Sequence, residues 1–206
     1  MSLRQLRAFD TGNTNSLIEP SLNLFYKLTP SLNGSLTINT DFSAVEVDSK
    51  QVNLTRFSLF FPEKRNFFLK EADIFEFGRI GGKDEFVDIP RVQRENGRPF
   101  FSRRIGLSVD KVPVELEYGA KISGRMGKWN VGTLAIRQAK FRDINATDIF
   151  VGRVTRNILD ESIIGIMMTR GDPSSNLDNT LLGVDFRYQN TNLSDGRTIE
   201  SEVWYQ

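Results

Sequence analysis

A strict alternation of apolar and polar side chains recurs along the second half of the chain and constrains the fold more than any other feature. In residues 114–123 the apolar members all share one parity, and Glu, Gly, Lys and Ser occupy the other. The apolar members are Val114, Leu116, Tyr118, Ala120 and Ile122. Successive side chains of a β-strand point to opposite faces of a sheet, so this period predicts a strand with one apolar and one polar face. Similar runs predict further strands at 129–138, 149–158, 162–170, 181–189 and 199–205.

Two shorter alternating runs, residues 22–28 and 35–40, flank a turn rich in Pro, Asn and Gly, and they predict a β-hairpin. Farther along, the predicted connection at 124–128 is tight, whereas those near 140–147 and 171–180 are longer and polar. The sequence therefore predicts an all-β protein, mostly an antiparallel meander, that forms a partial or complete β-barrel.

Residues 41–79 follow neither the strand period nor the helix period, because Phe and charged residues are interleaved there. We expect an irregular packed segment with one short helix near residues 62–71, followed by an exposed loop over 80–98. Residues 1–20 are polar and predict a linker or loop, which leaves 21–206 as a β-barrel region. No apolar leader is visible at the N-terminus, and we expect the barrel region to be truncated at both ends.

Composition excludes several classes of function. The 206 residues include no His and no Cys, so Ser-His-Asp triads, Cys nucleophiles and zinc sites with imidazole or thiolate ligands are excluded. A formal net charge of +1 argues against nucleic acid as a partner, because phosphate binding needs a basic surface. No cofactor is predicted.

The alternation fits two architectures that differ in where the apolar face lies. A soluble sandwich or barrel buries that face, whereas a membrane barrel turns it outward to lipid and lines its lumen with polar residues. The alternate positions that do not hold the apolar residues, which we call the polar parity, hold charged residues and glycines. This combination is compatible with the crowded lumen of a barrel and also with an ordinary solvated face. The charged members of this parity include Glu115, Glu117, Lys121, Arg153, Asp185 and Arg187.

A long sequence segment in the N-terminal half of the chain resembles a segment of a known family. Residues 53–69 read NLTRFSLFFPEKRNFFL, and they are preceded by NTDFSAVEVD at 39–48 and followed by FFSRRIG at 100–106. Over roughly residues 20–190 the chain resembles a family of large bacterial envelope proteins. In that family an N-terminal domain similar to carbohydrate-binding family 9 precedes a predicted outer-membrane β-barrel.

The resemblance implies that this chain is the N-terminal part of the barrel region of a larger envelope protein. It implies location in the bacterial outer membrane and contact with outer-membrane lipid or lipopolysaccharide. We expect a non-enzymatic segment, with saccharide-related binding or transport as its role, and open strand edges through which the fragment could self-associate. Two alternatives remain: a soluble β-rich carbohydrate-binding module, or a glycan hydrolase fragment that uses Glu63, Glu71 or Asp73.

The residues predicted to bind a ligand come from three places in the sequence: Glu63, Lys64, Arg65, Arg103, Arg104 and Trp129. The Glu-Lys-Arg triplet could face the lumen and bind a polar solute, although buried charges that pair with one another would explain it as well. The adjacent arginines, if they lie on a strand, point to opposite faces, and one could bind phosphates or a carboxylate of a neighbouring strand.

Five aromatic residues lie near the ends of predicted strands: Trp129, Trp204, Tyr118, Tyr188 and Tyr205. Aromatic girdles of membrane barrels use such positions, and so do sugar-stacking surfaces and protein cores.

An acidic group comprises Asp41, Glu46, Asp48, Glu71 and Asp73. Glycoside hydrolysis needs a pair of carboxylates, and calcium binds oxygen-rich clusters. The spacing matches no calcium loop, because the Gly at the turn and the closing Glu are missing. The sequence therefore predicts no metal site and no convincing catalyst.

Overall fold

The computed structural model describes residues 2–7, 14–19, 21–40, 63, 65–78, 97–108, 112–193 and 196–206. Its strands are β1 (Ser2–Arg7), β2 (Thr14–Glu19), β3 (Leu22–Thr29), β4 (Leu32–Thr40), β5 (Leu116–Met126), β6 (Trp129–Gln138), β7 (Thr147–Ile158), β8 (Ser162–Arg170), β9 (Thr180–Asn190) and β10 (Ile199–Tyr205). Strands β3 to β10 form one eight-stranded sheet in which each strand pairs antiparallel with its neighbours in sequence. The predicted antiparallel meander is confirmed.

The predicted strands agree closely with those observed. The boundaries of β6, β8 and β10 are those expected from the alternation. The register keeps residues of like parity on the same face: Ile122 lies opposite Thr133, and Leu134 lies opposite Val151. Hydrophobic periodicity predicts these strands well because each of them is long enough to repeat the pattern several times.

The sheet is open. Within the described residues, β3 and β10 are the edge strands, and neither pairs with another strand of the sheet beyond its single neighbour. Of the two predicted forms, the complete barrel is therefore not what the described strands form, because the sheet is not closed.

The N-terminal 20 residues contain a β-hairpin where we predict a linker or loop. Strands β1 and β2 pair antiparallel, with Leu3 opposite Ile18 and Arg7 opposite Thr14. The prediction was wrong in this respect because it relied on polar composition, whereas cross-strand pairing requires only that two extended segments align their backbone groups. A domain boundary after residue 20 stays a prediction.

Two stretches outside the sheet, residues 65–78 and 97–108, pack together on one of its faces, and we call them the inner layer. They contain the helix α1 (Asn66–Leu69) and two 3-10 helices, Ala72–Phe75 and Ser102–Arg104. The short helix predicted near 62–71 is thus confirmed. No helix among the described residues has the length and apolar character needed to span a bilayer.

The hydrophobic core lies between the inner layer and the face of the sheet that it covers, which we call the inner face. Phenylalanines of the inner layer meet aliphatic side chains of β5 to β8. The most deeply buried residues of the core are Phe67, Phe77, Ile105, Leu116, Leu134, Ile136, Val151 and Met167. The Phe-rich irregular segment predicted within 41–79 therefore supplies much of this core. Its residues 41–62, 64 and 79 lie outside the described part of the chain, as do residues 80–96 of the predicted exposed loop.

Glycines of the inner face make room for these aromatic rings. A Cβ atom at Gly183 of β9 would lie 2.6 Å from Cζ of Phe77, and one at Gly132 of β6 would lie 2.8 Å from Cζ of Phe75. Both distances are below those that real side chains tolerate. These two glycines thus leave the space that aromatic rings of the inner layer occupy.

The opposite face, which we call the outer face, exposes apolar side chains from every strand of the sheet. Its exposed large apolar residues include Leu22, Leu24, Tyr26, Leu36, Ile38, Tyr118, Ile122, Met126, Trp129, Phe150, Ile164, Ile166, Met168, Leu182, Val184, Val203 and Tyr205. Side chains such as Ile164 and Ile166 are 48% and 45% exposed in the middle of β8. This face therefore differs from that of an ordinary water-soluble sheet, whose uncovered side is mainly polar.

Candidate functional site: a polar cavity on the inner face

A cavity of about 440 Å³ lies between the inner layer and the sheet. It is bounded by Asp73 to Gly78 of the inner layer and by residues of β5 to β10. These strand residues lie between the middle of the sheet and the end that carries the turns 127–128 and 159–161. Its polar lining comprises Asp73, Glu76, Arg125, Asn130, Arg153, Thr155, Asn157, Asp185, Arg187 and Glu202. These strand residues all belong to the polar parity, so the same alternation that exposes the outer face directs them to this space.

The cavity wall is organised by a buried ion pair. Nη1 and Nη2 of Arg153 on β7 donate to Oδ1 and Oδ2 of Asp185 on β9, at 2.6 and 2.7 Å. The Arg153 side chain is only 3% exposed, and its guanidinium also lies 5.4 Å from the centre of the Phe77 ring. Because Asp185 further accepts a hydrogen bond from the backbone N–H of Gly78 at 3.1 Å, the pair ties the inner layer to the sheet.

Polar contacts continue around the cavity toward β5 and β6. Arg125 forms an ion pair with Asp73 of the inner layer. Nδ2 of Asn130 donates to Oγ1 of Thr155 at 2.8 Å and lies 3.3 Å from Oδ1 of Asn157. These contacts hold amide and hydroxyl groups in place at the cavity surface.

Two of the arginines that line the cavity have a buried Nε donor without an acceptor. Among the described residues, Nε of Arg153 and Nε of Arg187 have no hydrogen-bond partner. Both side chains line the cavity. Glu202 lies opposite Arg187 in the register of β9 and β10 and lines the same space, yet Nε of Arg187 remains without an acceptor. The arrangement therefore presents unmatched donors to the cavity.

Glu63 and Arg65, two of the residues predicted to bind a ligand, instead bind each other and the inner layer. Nε and Nη2 of Arg65 donate to Oε1 and Oε2 of Glu63, each at 2.7 Å. Arg65 also donates to the backbone oxygens of Ser102 and Ile105, and its guanidinium lies 4.2 Å from the centre of the Phe68 ring. This network joins the two parts of the inner layer, and Lys64 lies outside the described residues.

Glu63 is held in its ionised form. Burial alone would raise the pKa of this carboxyl, but hydrogen bonds and the charge from Arg65, with a hydrogen bond from Ser102, lower the pKa below its ordinary value. A general acid of glycoside hydrolysis needs the opposite shift. The local arrangement therefore favours a structural role for Glu63.

The other predicted site residues are dispersed. Arg103 and Arg104 lie in the 3-10 helix Ser102–Arg104, so they are not adjacent residues of a strand as we expect from the sequence. Trp129 is on the outer face, where the guanidinium of Arg156 lies 5.1 Å from its ring centre. None of the described residues predicted to bind a ligand lines the polar cavity, whereas Asp73, one of the carboxylates considered for catalysis, does.

The remaining carboxylates considered for catalysis also have separate partners. Oε1 of Glu71 accepts a hydrogen bond from Asn33 at 2.5 Å, and Asp73 pairs with Arg125. Asp41, Glu46 and Asp48 lie outside the described residues. Within the described part of the chain, no cluster of three acidic residues could hold a metal ion.

The cavity residues were missed from the sequence because they come from distant strands. Arg125, Arg153 and Arg187 are each unremarkable within their own alternating runs, and register alone brings them to one end of the sheet. The sequence did contain one indication of the cavity: charged residues recur at positions of the polar parity in successive strands, toward the same end of the sheet.

Residues 4–85 match the model of a family described as a domain of unknown function, DUF5916. No curated protein and no solved structure is significantly similar to the chain. The matched stretch includes the phrase at residues 53–69 on which the resemblance to bacterial envelope proteins depends.

Proposed function

We propose that this chain is a non-enzymatic part of the wall of a β-barrel in the bacterial outer membrane. In this proposal the outer face contacts lipid or lipopolysaccharide, and the inner layer packs the lumenal side. The observation that carries the proposal is the continuous apolar outer face, to which all eight strands of the sheet contribute. In water such a surface would be costly, because exposed apolar area is disfavoured by roughly 25 cal/mol per Å².

The outer face also has the charge distribution expected of a lipid-facing surface. Its charged residues lie near strand ends: Arg137, Asp148, Arg156 and Arg170. At one of these ends Nη1 of Arg137 donates to Oδ2 of Asp148 at 2.6 Å. A charge near the bilayer boundary costs about 0–1 kcal/mol, compared with about 2–4 kcal/mol for Arg or Lys at the midplane.

Four aromatic residues of the outer face lie toward the two ends of the sheet. Trp129 and Tyr188 lie at the end with the tight turns, and Tyr118 and Phe150 lie toward the opposite end, whereas Tyr26 and Tyr205 are in register with the middle of the sheet. Aromatic girdles at both interfaces are typical of membrane barrels. Trp204, which the sequence also placed in a girdle, lies on the inner face, where it contacts the backbone at Gly78.

Strand lengths and connections support the same proposal. Strands β5 to β9 contain 9 to 12 residues, close to the ~9–11 that a tilted strand needs to cross a bilayer. The connections at 30–31, 127–128 and 159–161 share one end of the sheet, and the longer connections 41–115, 139–146 and 171–179 share the other. The eight-residue connection 191–198 is the exception, because it lies at the end with the short turns. Bacterial barrels generally combine short turns at one end with long loops at the other.

The two tryptophans of the chain allow a direct test, because Trp129 is on the outer face and Trp204 on the inner face. The single-tryptophan variants W129F and W204F are inserted into vesicles of phosphatidylcholine with brominated acyl chains. Bromine quenches only indoles that approach the chains. We expect strong quenching of the fluorescence of Trp129 in W204F and weak quenching of Trp204 in W129F.

Equal quenching of both variants, or none in either, would contradict the proposal. The alternative of a soluble carbohydrate-binding module predicts that the chain stays in solution at high salt without detergent, with neither tryptophan quenched. Flotation of the same vesicles in a density gradient distinguishes two reasons for a contrary result. Protein that has not inserted stays at the bottom of the gradient, whereas protein that has inserted in another orientation floats with the vesicles.

A further inference from the structure

We infer that two copies of this chain join edge to edge, with β3 of each copy paired to β10 of the other, and so close one barrel. Eight strands from each copy give a barrel of sixteen strands. We call this pairing of β3 with β10 the seam. The inference rests on the proposed function, because the sheet needs to be closed only if its edges lie in hydrocarbon.

The two edge strands leave backbone groups that need partners. Within the described residues, β3 and β10 each pair with a single neighbour in the sheet, and every residue of both strands is exposed. An edge strand presents a row of N–H and C=O groups that no other strand satisfies. Such groups are costly in hydrocarbon, so a sheet that crosses a bilayer must be closed.

The inner layer prevents one copy from closing on itself. The interior of an eight-stranded barrel is just wide enough to be filled by side chains. The inner face of this sheet is already covered by residues 65–78 and 97–108, which contain the backbone of α1 and of two 3-10 helices. These segments require a wider barrel and therefore further strands, and a second copy supplies eight of them.

The two edges are complementary in direction. Consecutive strands of the sheet alternate in direction, so β10, the eighth strand of the sheet, runs opposite to β3. A two-fold rotation about the barrel axis places β10 of one copy beside β3 of the other as antiparallel neighbours, with both outer faces turned outward. The same rotation forms both seams, so the assembly closes with an even number of strands, as is usual in bacterial barrels.

The seam also continues the apolar outer face. Leu22, Leu24 and Tyr26 of β3 lie on that face and are exposed, as are Val203 and Tyr205 of β10. Antiparallel pairing in a register that keeps the outer faces together brings these two groups side by side. Aromatic and aliphatic pairs of this kind stabilise neighbouring strands.

Charge distinguishes the seam from a pairing of like edges. Lys27 is the only charged residue of β3, and β10 contains no basic residue, so no like charges face each other across the seam. Full antiparallel overlap of β10 with β10 of a second copy would instead place Glu202 opposite the same residue of the other copy, which is unfavourable. A pairing of like edges would also leave the other edge of each copy open.

Disulfide cross-linking tests the seam directly, because the chain has no cysteine of its own. L24C and V203C are mixed, refolded into phosphatidylcholine vesicles, floated in a density gradient and oxidised. Side chains directly opposite each other on antiparallel strands have Cβ atoms about 4.5–5.5 Å apart, close to the ~3.5–4.5 Å of a disulfide. S201C and Y205C replace V203C in parallel mixtures, since they sample the neighbouring registers of the same face.

We expect disulfide-linked dimers in at least one of these mixtures and none when a variant is oxidised alone. Random pairing brings the two variants together in about half of the dimers, which sets the maximum yield. The double variant L24C/V203C, or its counterpart in the register that links best, should convert almost completely to dimer. F25C is the matched control: it lies next to Leu24 but on the inner face, so its mixtures should give at least about tenfold less dimer.

The remaining outcomes decide against the inference. Protein that floats with the vesicles but gives no dimer in any mixture would overturn the inference and leave the proposed function standing, whereas protein that does not float would contradict both. A disulfide within one chain of the double variant would show that the sheet closes on itself. Dimers of one variant alone would show that like edges pair, and a ladder of larger oligomers would show that two copies do not close the barrel. Circular dichroism of the floated protein checks that each variant is folded.

Discussion

Arg153 reaches across an entire strand to bind Asp185. The two residues belong to β7 and β9, and between them lies Gly165 of β8, where a Cβ atom would be 2.7 Å from Nη1 of Arg153. The bidentate pair, at 2.6 and 2.7 Å, is therefore possible only because β8 has no side chain at this point. One ion pair thus couples three strands and, through the N–H of Gly78, the inner layer.

Breaking this pair should destabilise the fold strongly. D185L leaves the guanidinium of Arg153 buried without its counter-charge, and we expect a loss of about 3–5 kcal/mol in the free energy of unfolding. The double variant R153M/D185L removes both charges and should recover most of that loss. Urea unfolding of the chain inserted in vesicles, followed by tryptophan fluorescence, measures both variants.

The exposed pair between Arg137 and Asp148 provides the control. Its side chains are 31% and 69% exposed, so D148L should cost no more than about 1 kcal/mol. Similar losses in D148L and D185L would show that burial of Arg153 does not determine the strength of the effect.

Gly183 should not accept even one additional methyl group. The new Cβ in G183A would lie 2.6 Å from Cζ of Phe77, which is itself 2% exposed, and we expect a loss of about 1–3 kcal/mol. The smaller side chain in F77L should relieve the clash, so that G183A/F77L is more stable than the sum of the single changes predicts. Unfolding free energies of the four proteins complete the cycle.

Gly34 of β4 is the matched control for this cycle. A Cβ atom at this position would lie 3.5 Å from Cδ1 of Leu28, an ordinary contact, so G34A should change stability little. If the losses of unfolding free energy in G183A and F77L are simply additive, this would contradict the prediction that the missing side chain at Gly183 makes room for the Phe77 ring.

The Glu63 network should make stability depend on pH on the acid side. The pKa of Glu63 is lower in the folded chain than its ordinary value of 4.5, so the ionised form is favoured by folding. Its contribution to stability is full above about pH 4.5 and is lost as the pH falls through the lower folded pKa. E63Q should therefore be less stable than the unchanged protein at pH 7.

Unfolding free energies of E63Q and the unchanged protein, measured from about pH 7 down to about pH 3, check this prediction. The difference between the two should shrink below about pH 4.5. S102A removes one hydrogen bond to Glu63, of 2.8 Å, and should show a weaker form of the same dependence. A difference that stays constant over the whole range would contradict it.

A positive charge on the outer face should be tolerated according to its position along the strand. I166K lies in the middle of β8 and should cost about 2–4 kcal/mol in a bilayer, whereas M126K, at the end of β5, should cost about 0–1 kcal/mol. The two residues are equally exposed, at 45% each, so a sheet surrounded by water would tolerate both. Urea unfolding from phosphatidylcholine vesicles separates the two cases.

The strands could be predicted from the sequence because alternation is a local signal. The run at 129–138 spans ten residues, and the observed strand β6 has these boundaries. The outer or inner orientation of a residue such as Trp129 also follows from parity once the neighbouring strands are known. Trp204 was harder to place, because composition identifies an aromatic residue near a strand end but only register assigns its face.

The inner layer and the cavity depend on contacts between residues that are distant in sequence. The phrase around Glu63 and Arg65 indicated paired charges, and that pairing is observed, but the contacts with Ser102 and Ile105 join segments about 40 residues apart. The meeting of Arg153, Asp185 and Gly78 requires the full strand order. Local patterns contain no such information, so the cavity could be recognised only in three dimensions.

The position of the inner layer in the chain has a consequence for assembly. It lies between β4 and β5, so most of it is synthesised before the six strands that cover it. Those strands are joined as successive neighbours, which keeps most of their pairings local in sequence and favours rapid addition of one hairpin after another. The aromatic segment can thus serve as a template on which the later strands assemble, with Gly132 of β6 and Gly183 of β9 leaving space for the Phe75 and Phe77 rings.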